Sequence, residues 1–156
     1  MGALFGGIRA PSTLGSHLRS YNFGNVSQLE KAGRRLLARA APLLAGAGTL
    51  AFLDIDSTKK RVYGYAKQGA RFGVTKIANK QVKVRGLNAL VAAISTPGSA
   101  PVIAATRLRG GNAVSVRGAA SLAHGAIATA RAAGCTGLII VRMDPAYYAA
   151  EPAGRP

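Results

Sequence analysis

Apolar positions change their period near residue 46. Before it, between residues 9 and 45, they recur every three to four residues, the spacing of one helix face, which predicts two helices. Ser12 or Thr13 is placed to cap the first, which carries Leu14 and Leu18 one turn apart before a break at Asn22-Phe23-Gly24. The second follows Asn25, with Val26, Leu29, Gly33, Leu36, Leu37 and Ala40 on one stripe, and Pro42 closes it. Arg19, Lys31, Arg34, Arg35 and Arg39 fall mostly off that stripe. Two short helices around a glycine-containing turn fit either a helix-turn-helix or a helical lead packed on a core. Nothing marks a recognition helix, which favours the lead.

After the loop Gly46-Ala47-Gly48 the pattern becomes extended. Thr49 to Thr58 opens as an apolar run of strand character that ends in two aspartates, and Val62 to Ala66 alternates as a second short strand. Leu87 to Ser95 and Val102 to Leu108 read as two strands joined through Thr96-Pro97-Gly98-Ser99-Ala100-Pro101, a turn by composition, so the pair predicts an antiparallel hairpin. Arg109-Gly110-Gly111-Asn112 reads as a plain turn, since it matches no glycine-rich phosphate-binding motif. Ser115 to Ala133 predicts an alanine-rich helix, capped by Ser115 and stopped by Gly134. Its apolar face is Ala119, Leu122, Ala123, Ala126, Ile127 and Ala130. The run Gly137 to Met143 follows at once as a last strand. Antiparallel strands, then a helical crossover to a strand beside the first, is the order of a ribonuclease H-like sheet.

Acidic residues change this picture. The chain has only five, yet Asp54 and Asp56 sit inside the first apolar strand, on one face by its two-residue period. Asp144 ends the last strand. Carboxylates delivered by separate strands to one point can hold Mg²⁺, which keeps much of its water and needs few protein oxygens. An aspartate at a strand end is also a common turn former or cap, so the pattern alone leaves both readings open.

Charge points to a partner. Lys and Arg number 21 in 156 residues, for a net charge of +16, and this excess is expected on the surface facing a polyanion. Residues 59 to 85 hold Lys59, Lys60, Arg61, Lys67, Arg71, Lys76, Lys80, Lys83 and Arg85 without one acid, with Tyr63, Tyr65 and Phe72 interleaved. This reads as a basic loop that tracks a phosphate backbone and offers rings to unpaired bases, against the alternative of a solvated surface loop. No apolar run reaches the roughly 18 residues that span a bilayer, and the first residues are no secretory signal. A lone cysteine, Cys135, excludes an internal disulfide, fits a reducing compartment and reads as a small core residue. His17 and His124 lack partners at zinc-ligand spacing.

Several motifs together resemble a known family. Leu53-Asp54-Ile55-Asp56-Ser57-Thr58 and Arg61 to Ala70 resemble the first catalytic block of bacterial insertion-sequence transposases of the DDE type. Arg85 to Leu90, Ala100 to Ala104 and Arg107 to Asn112 continue the likeness, and Val141-Arg142-Met143-Asp144-Pro145-Ala146-Tyr147-Tyr148 is similar to the second catalytic block. The segment Arg9 to Gly15 is similar to the family's helical lead. The resemblance implies Asp56 and Asp144 as catalytic acids and Mg²⁺ ligands, with Asp54 a same-face neighbour. It implies Mg²⁺-dependent cleavage at a transposon end, then attack of the freed 3′-hydroxyl on target DNA. DNA is the expected partner, a homodimer is compatible with the family, and no membrane is expected.

The expected fold is therefore α/β: an incomplete ribonuclease H-like mixed sheet with a helical N-terminal lead. The expected divisions are a lead over 1–46, a partial catalytic domain over 47–148 with a basic insertion at 59–85, and an irregular tail over 149–156. The family's third acid, a glutamate on a later helix, has no counterpart, because Glu151 sits in a proline- and glycine-broken tail. The chain is thus expected to be truncated at both ends, to bind DNA and to cleave it little or not at all. A non-catalytic basic nucleic-acid-binding module is the alternative. Arg142, on the face of Asp144, is expected as a charge partner, and the location expected is the bacterial cytoplasm, at the nucleoid.

Overall fold

A computed structural model describes residues 10–39, 44–64 and 67–147. The chain divides into two compact units, Met1–Gly33 and Arg34–Pro156, and the division falls inside the second helix. The first unit holds α1 (Pro11–Arg19) and the start of α2 (Phe23–Arg39). Helix α1 starts on Pro11 rather than on a Ser12 or Thr13 cap: Ala10 is its N-cap, without a side-chain hydrogen bond, and proline suits a first turn whose N–H has no helical partner. Asn22 and Asn25 exchange side chain-to-backbone bonds of 3.1 Å at the start of α2. Of the expected stripe only Leu37 is buried, while Val26, Leu29 and Leu36 are exposed. Ala40 and Pro42 lie outside the described residues.

The second unit is built on a mixed five-stranded sheet. Its strands are β1 (Leu50–Arg61), β2 (Arg71–Ile77), β3 (Lys80–Thr96), β4 (Ser99–Gly110) and β5 (Leu138–Met143), with α3 (Ala119–Ala132) between β4 and β5. β1 runs antiparallel to β3 and parallel to β5, and β4 runs antiparallel to β3. Along the second half of β3 the order is thus β4-β3-β1-β5. Along its first half β2 pairs with β3 instead, on the edge away from β1.

One face of the sheet is covered. Ala51, Leu53 and Ile55 of β1, Leu90, Ala92 and Ile94 of β3, and Ala104 and Ala105 of β4 pack against Ala119, Leu122, Ala126 and Ala130 of α3. Alternation places the β1 and β3 residues on one side, and a register shift in β4 that leaves Ala104 unpaired lets the consecutive Ala104 and Ala105 both be buried. Small residues on α3 let the helix lie close to the strands, and Thr129, outside the apolar stripe, is buried with its hydroxyl on Gly125 O. Cys135 is buried beside this core, as expected.

Three elements differ from their expected form. The segment 59–85 is not a long loop: it contains the end of β1, a connection over residues 62–70, and a β2–β3 hairpin. Residues 62–64 are outside any strand, and Tyr65 and Ala66 lie outside the described residues. Helix α3 begins at Ala119 rather than Ser115, because 115–118 form turns that end on Gly118, at φ +76°. The hairpin over Pro97-Gly98 and the stop at Gly134 stand as expected.

Where β4 ends and β2 begins, backbones meet with no room for a side chain. A Cβ on Gly73 would lie 1.8 Å from Gly111 O, and one on Gly111 would lie 2.5 Å from Arg71 O. Glycine at these positions lets β3 pass from one partner strand to the other without a gap.

Candidate nucleic-acid interface and carboxylate pair

The sheet face away from α3 carries the acids. Phe52, Asp54 and Asp56 alternate with the buried Ala51, Leu53 and Ile55, so their side chains share this open face. The parallel register pairs Asp54 with Arg142. Arg142 donates from Nε and Nη2 to the two carboxylate oxygens of Asp54, both at 2.6 Å, and its guanidinium lies 4.4 Å from the Phe52 ring centre. This fork-on-carboxylate geometry raises the Arg142 pKa through the hydrogen bonds to Asp54. Arg142 is thus a charge partner, and its partner is Asp54.

The last pair of this register is Ile55 with Met143, so Asp56 and Asp144 each follow it by one residue, Asp56 within β1 and Asp144 just past the end of β5. Neighbouring strands are about 4.8 Å apart. One oxygen of each carboxylate is engaged locally: Asp56 Oδ1 accepts from Ser57 N at 2.6 Å and Asp144 Oδ1 from Ala146 N at 2.8 Å. The second bond caps a single 3-10 turn, Pro145–Tyr147. A cleft of about 450 Å³ beside Asp144 is lined by Met143, Pro145 and Tyr147, and Asp56 is not part of it.

The donor set suits Mg²⁺ in kind, since each carboxylate keeps an oxygen outside these bonds and the ion tolerates a ligand shell completed by water or phosphate. No group of three or more His, Cys, Asp or Glu able to share an ion occurs among the described residues. Glu151 lies outside them.

The nine expected DNA-contacting residues do not form one patch. Cross-strand partners share a side, so Lys76, Lys83 and Arg85 stand with Phe72 and Val74 on one side of the β2–β3 ribbon, and Arg71 and Lys80 with Thr75 and Ile77 on the other. The alternation of β3 carries Lys83 and Arg85 onto the open, carboxylate-bearing face, where Lys60 also lies opposite Leu87. Lys59 is used internally, donating to Val74 O, and Arg85 Nη1 donates to Gly64 O at 2.6 Å. Arg61 lies over the Tyr63 ring at 4.8 Å. Tyr63 and Phe72, 71% and 60% exposed, flank a cleft of about 440 Å³ that Lys83 and Arg85 also line. Lys67 is exposed in the connection before β2.

One basic residue overturns the expectation that every cation lies on the surface. Arg109 is buried, and four neutral oxygens receive it: Nη1 donates to the carbonyls of Val114, Ser115 and Arg117 at 3.2, 3.1 and 2.7 Å, and Nη2 to Asn88 Oδ1 at 2.6 Å. Burial lowers its pKa, and Arg107 and Arg117 press it the same way; the Tyr147 oxygen opposes them. Arg109 Nε and the Tyr147 hydroxyl are buried without a hydrogen bond of normal geometry. Composition could not find this residue, since its pairing with Asn88 is set by the register of β3 and β4.

No helix among the described residues is long and apolar enough to cross a membrane. Comparison with protein-family models, with curated proteins and with solved structures found no match to this chain.

Proposed function

We propose that the protein binds DNA through the open face of its sheet, as a domain of the DDE transposase kind, with Asp56 and Asp144 holding Mg²⁺ at the scissile phosphate. The observation that supports this reading is the β1/β5 register, whose last pair, Ile55 with Met143, is followed at once by Asp56 on one chain segment and Asp144 on the other. The order β4-β3-β1-β5, with α3 crossing between β4 and β5, supports it, being the order expected of the first strands of a ribonuclease H-like sheet. From the level of Asp56 to that of Lys76 is ten residues along β3, about 33 Å, close to one turn of duplex.

In this reading Lys60, Arg85, Lys83 and Lys76 follow a phosphate backbone away from the acids, and Tyr63 and Phe72 meet exposed bases. Arg142 keeps Asp54 occupied, so Asp54 is a positioning residue rather than a ligand. A bound Mg²⁺ would supply charge stabilisation at a phosphate oxygen and a more acidic water. Two carboxylates hold such an ion weakly, so DNA binding, with little strand cleavage, is the activity proposed.

The test is duplex retention between 50 and 500 mM salt, with Mg²⁺ titrations alongside. Retention should fall steeply with salt, and Asp56→Asn should lose Mg²⁺ affinity. Undiminished retention at high salt removes the DNA reading. A second reading, a non-catalytic nucleic-acid-binding module, is favoured by the backbone bonds that Asp56 and Asp144 already make. It predicts salt-sensitive binding with Mg²⁺ affinity untouched by Asp56→Asn.

A further inference from the structure

A second cleft, of about 470 Å³, opens on the α3 side of the molecule, where β2 begins and β4 ends. Arg71, Arg109, Arg117 and Asn112 line it, with Gly69 and Gly110 at its rim, and no acidic residue takes part. The charge here is unusual in kind. Arg109 is nine-tenths buried, its Nη groups are spent on neutral oxygens, and its Nε has no hydrogen bond of normal geometry, with the Tyr147 oxygen nearby. A buried guanidinium that meets only dipoles keeps its full charge uncompensated. Arg71 and Arg117 are exposed at the mouth, and neither side chain makes a hydrogen bond or ion pair among the described residues. Arg107 stands close by, its Nη1 on Gly118 O at 3.3 Å and on Ser121 Oγ at 2.5 Å.

Burial is the main cause that lowers the Arg109 pKa, and repulsion from the positive charges of Arg107 and Arg117 adds to it. A dianion removes that repulsion. Planar forks of Arg71 and Arg117 suit a tetrahedral oxyanion bidentately, and the Asn112 amide adds a neutral donor. Arg109 beneath would contribute charge rather than contacts.

We propose that the cleft between Arg71, Arg109 and Arg117 is a phosphate-binding site, separate from the carboxylate pair. The phosphate comes from a nucleic-acid backbone or from a free phosphate compound; the first source rests on the DNA reading above, and the second does not.

The experiment uses the full chain in three forms: wild type, R71Q/R117Q, and K31Q/R35Q, which removes equal charge from α2. Inorganic phosphate is titrated against chloride at constant ionic strength while thermal unfolding is followed. Saturable stabilisation in the wild type and in K31Q/R35Q, lost in R71Q/R117Q, supports the site. Equal shifts in all three forms overturn it, since a general salting effect would act on each alike. If the double variant does not fold, calorimetric titration of the single variant R117Q decides: affinity about 10-fold weaker supports the site, as loss of one charge-assisted bond would give, and unchanged affinity overturns it.

Salt-dependent duplex binding then separates the sources. A drop of about 1 in the slope of log affinity against log salt for R117Q, absent from K31Q/R35Q, assigns the cleft to a backbone phosphate. An unchanged slope, with the phosphate effect intact, assigns it to a free phosphate. Failure of wild type to bind duplex would end the DNA reading and leave the phosphate titration to decide this one.

Discussion

β3 is one strand with two environments. From Gly86 to Thr96 every second side chain is buried, because β1 and β4 flank it and α3 lies across it. From Lys80 to Arg85 no residue is buried, since β2 pairs with it and the β1 ladder ends at Gly86. Both halves are extended strand. What differs is the number of neighbours, and burial follows neighbours rather than local hydrophobicity: Val82 is 38% exposed and Ala92 is fully buried.

Removing side chains on the two halves should therefore give unequal losses. Leu90→Ala, in the fully buried half, should cost about 3–5 kcal/mol, measured by urea unfolding, while Val82→Ala should stay within about 0.5–1 kcal/mol. Similar losses at the two sites would mean that the ribbon is packed against something. Next in size is the joint between the halves. Gly73→Ala pushes a methyl group into the Gly111 carbonyl, and should cost about 3 kcal/mol as overpacking against backbone that cannot turn away. Limited proteolysis of that variant should cut first within 62–80.

Smaller effects sharpen the contrast. The ribbon's two-residue turn puts Ala78 and Asn79 at φ +47° and +64°. Alanine is poorly suited to this region, so Ala78→Asn should stabilise the hairpin by about 1 kcal/mol without moving the core. Hydrogen exchange, resolved by residue, should show the gain confined to β2 and the first half of β3. Smallest is a pH effect in the core. Burial raises the Cys135 thiol pKa, with Arg131 partly opposing. Above the ordinary thiol value of about 8.5, the unfolded chain loses this proton while the folded one keeps it, so stability falls as pH rises through that window. Cys135→Ala should flatten the decline that begins above about pH 8.5, read from unfolding midpoints.

The parts of the fold that sequence made visible are those where pattern and packing agree. Leu87 to Ser95 is apolar because every second residue of it is interior, Val102 to Leu108 and Gly137 to Met143 keep apolar runs of strand character although much of each is exposed, and Pro97-Gly98 is a turn by its own chemistry. β2 was hidden because its alternation pairs apolar residues with threonine and basic residues, and because Ala78-Asn79 lacks the glycine that usually marks such a turn. Lys59-Lys60-Arg61 reads as the end of a strand by charge, yet the β3 ladder holds β1 together through Arg61. At the site, the two-residue period was enough to put Asp54 and Asp56 on one face. That Arg142 meets Asp54 needed the strand register, which no local pattern carries.

Connecting segments are ordinarily where chains accept inserted residues. The stretch from Gly111 to Gly118 should be an exception. Three of its carbonyls converge on one guanidinium that β4 supplies, and α3 begins without any side-chain cap of its own. The helix is thus positioned by a neighbouring strand, and its phase on the sheet depends on the length of this short bridge. Relatives of this chain that keep Arg109 should keep that spacing, and vary instead at Ala78-Asn79.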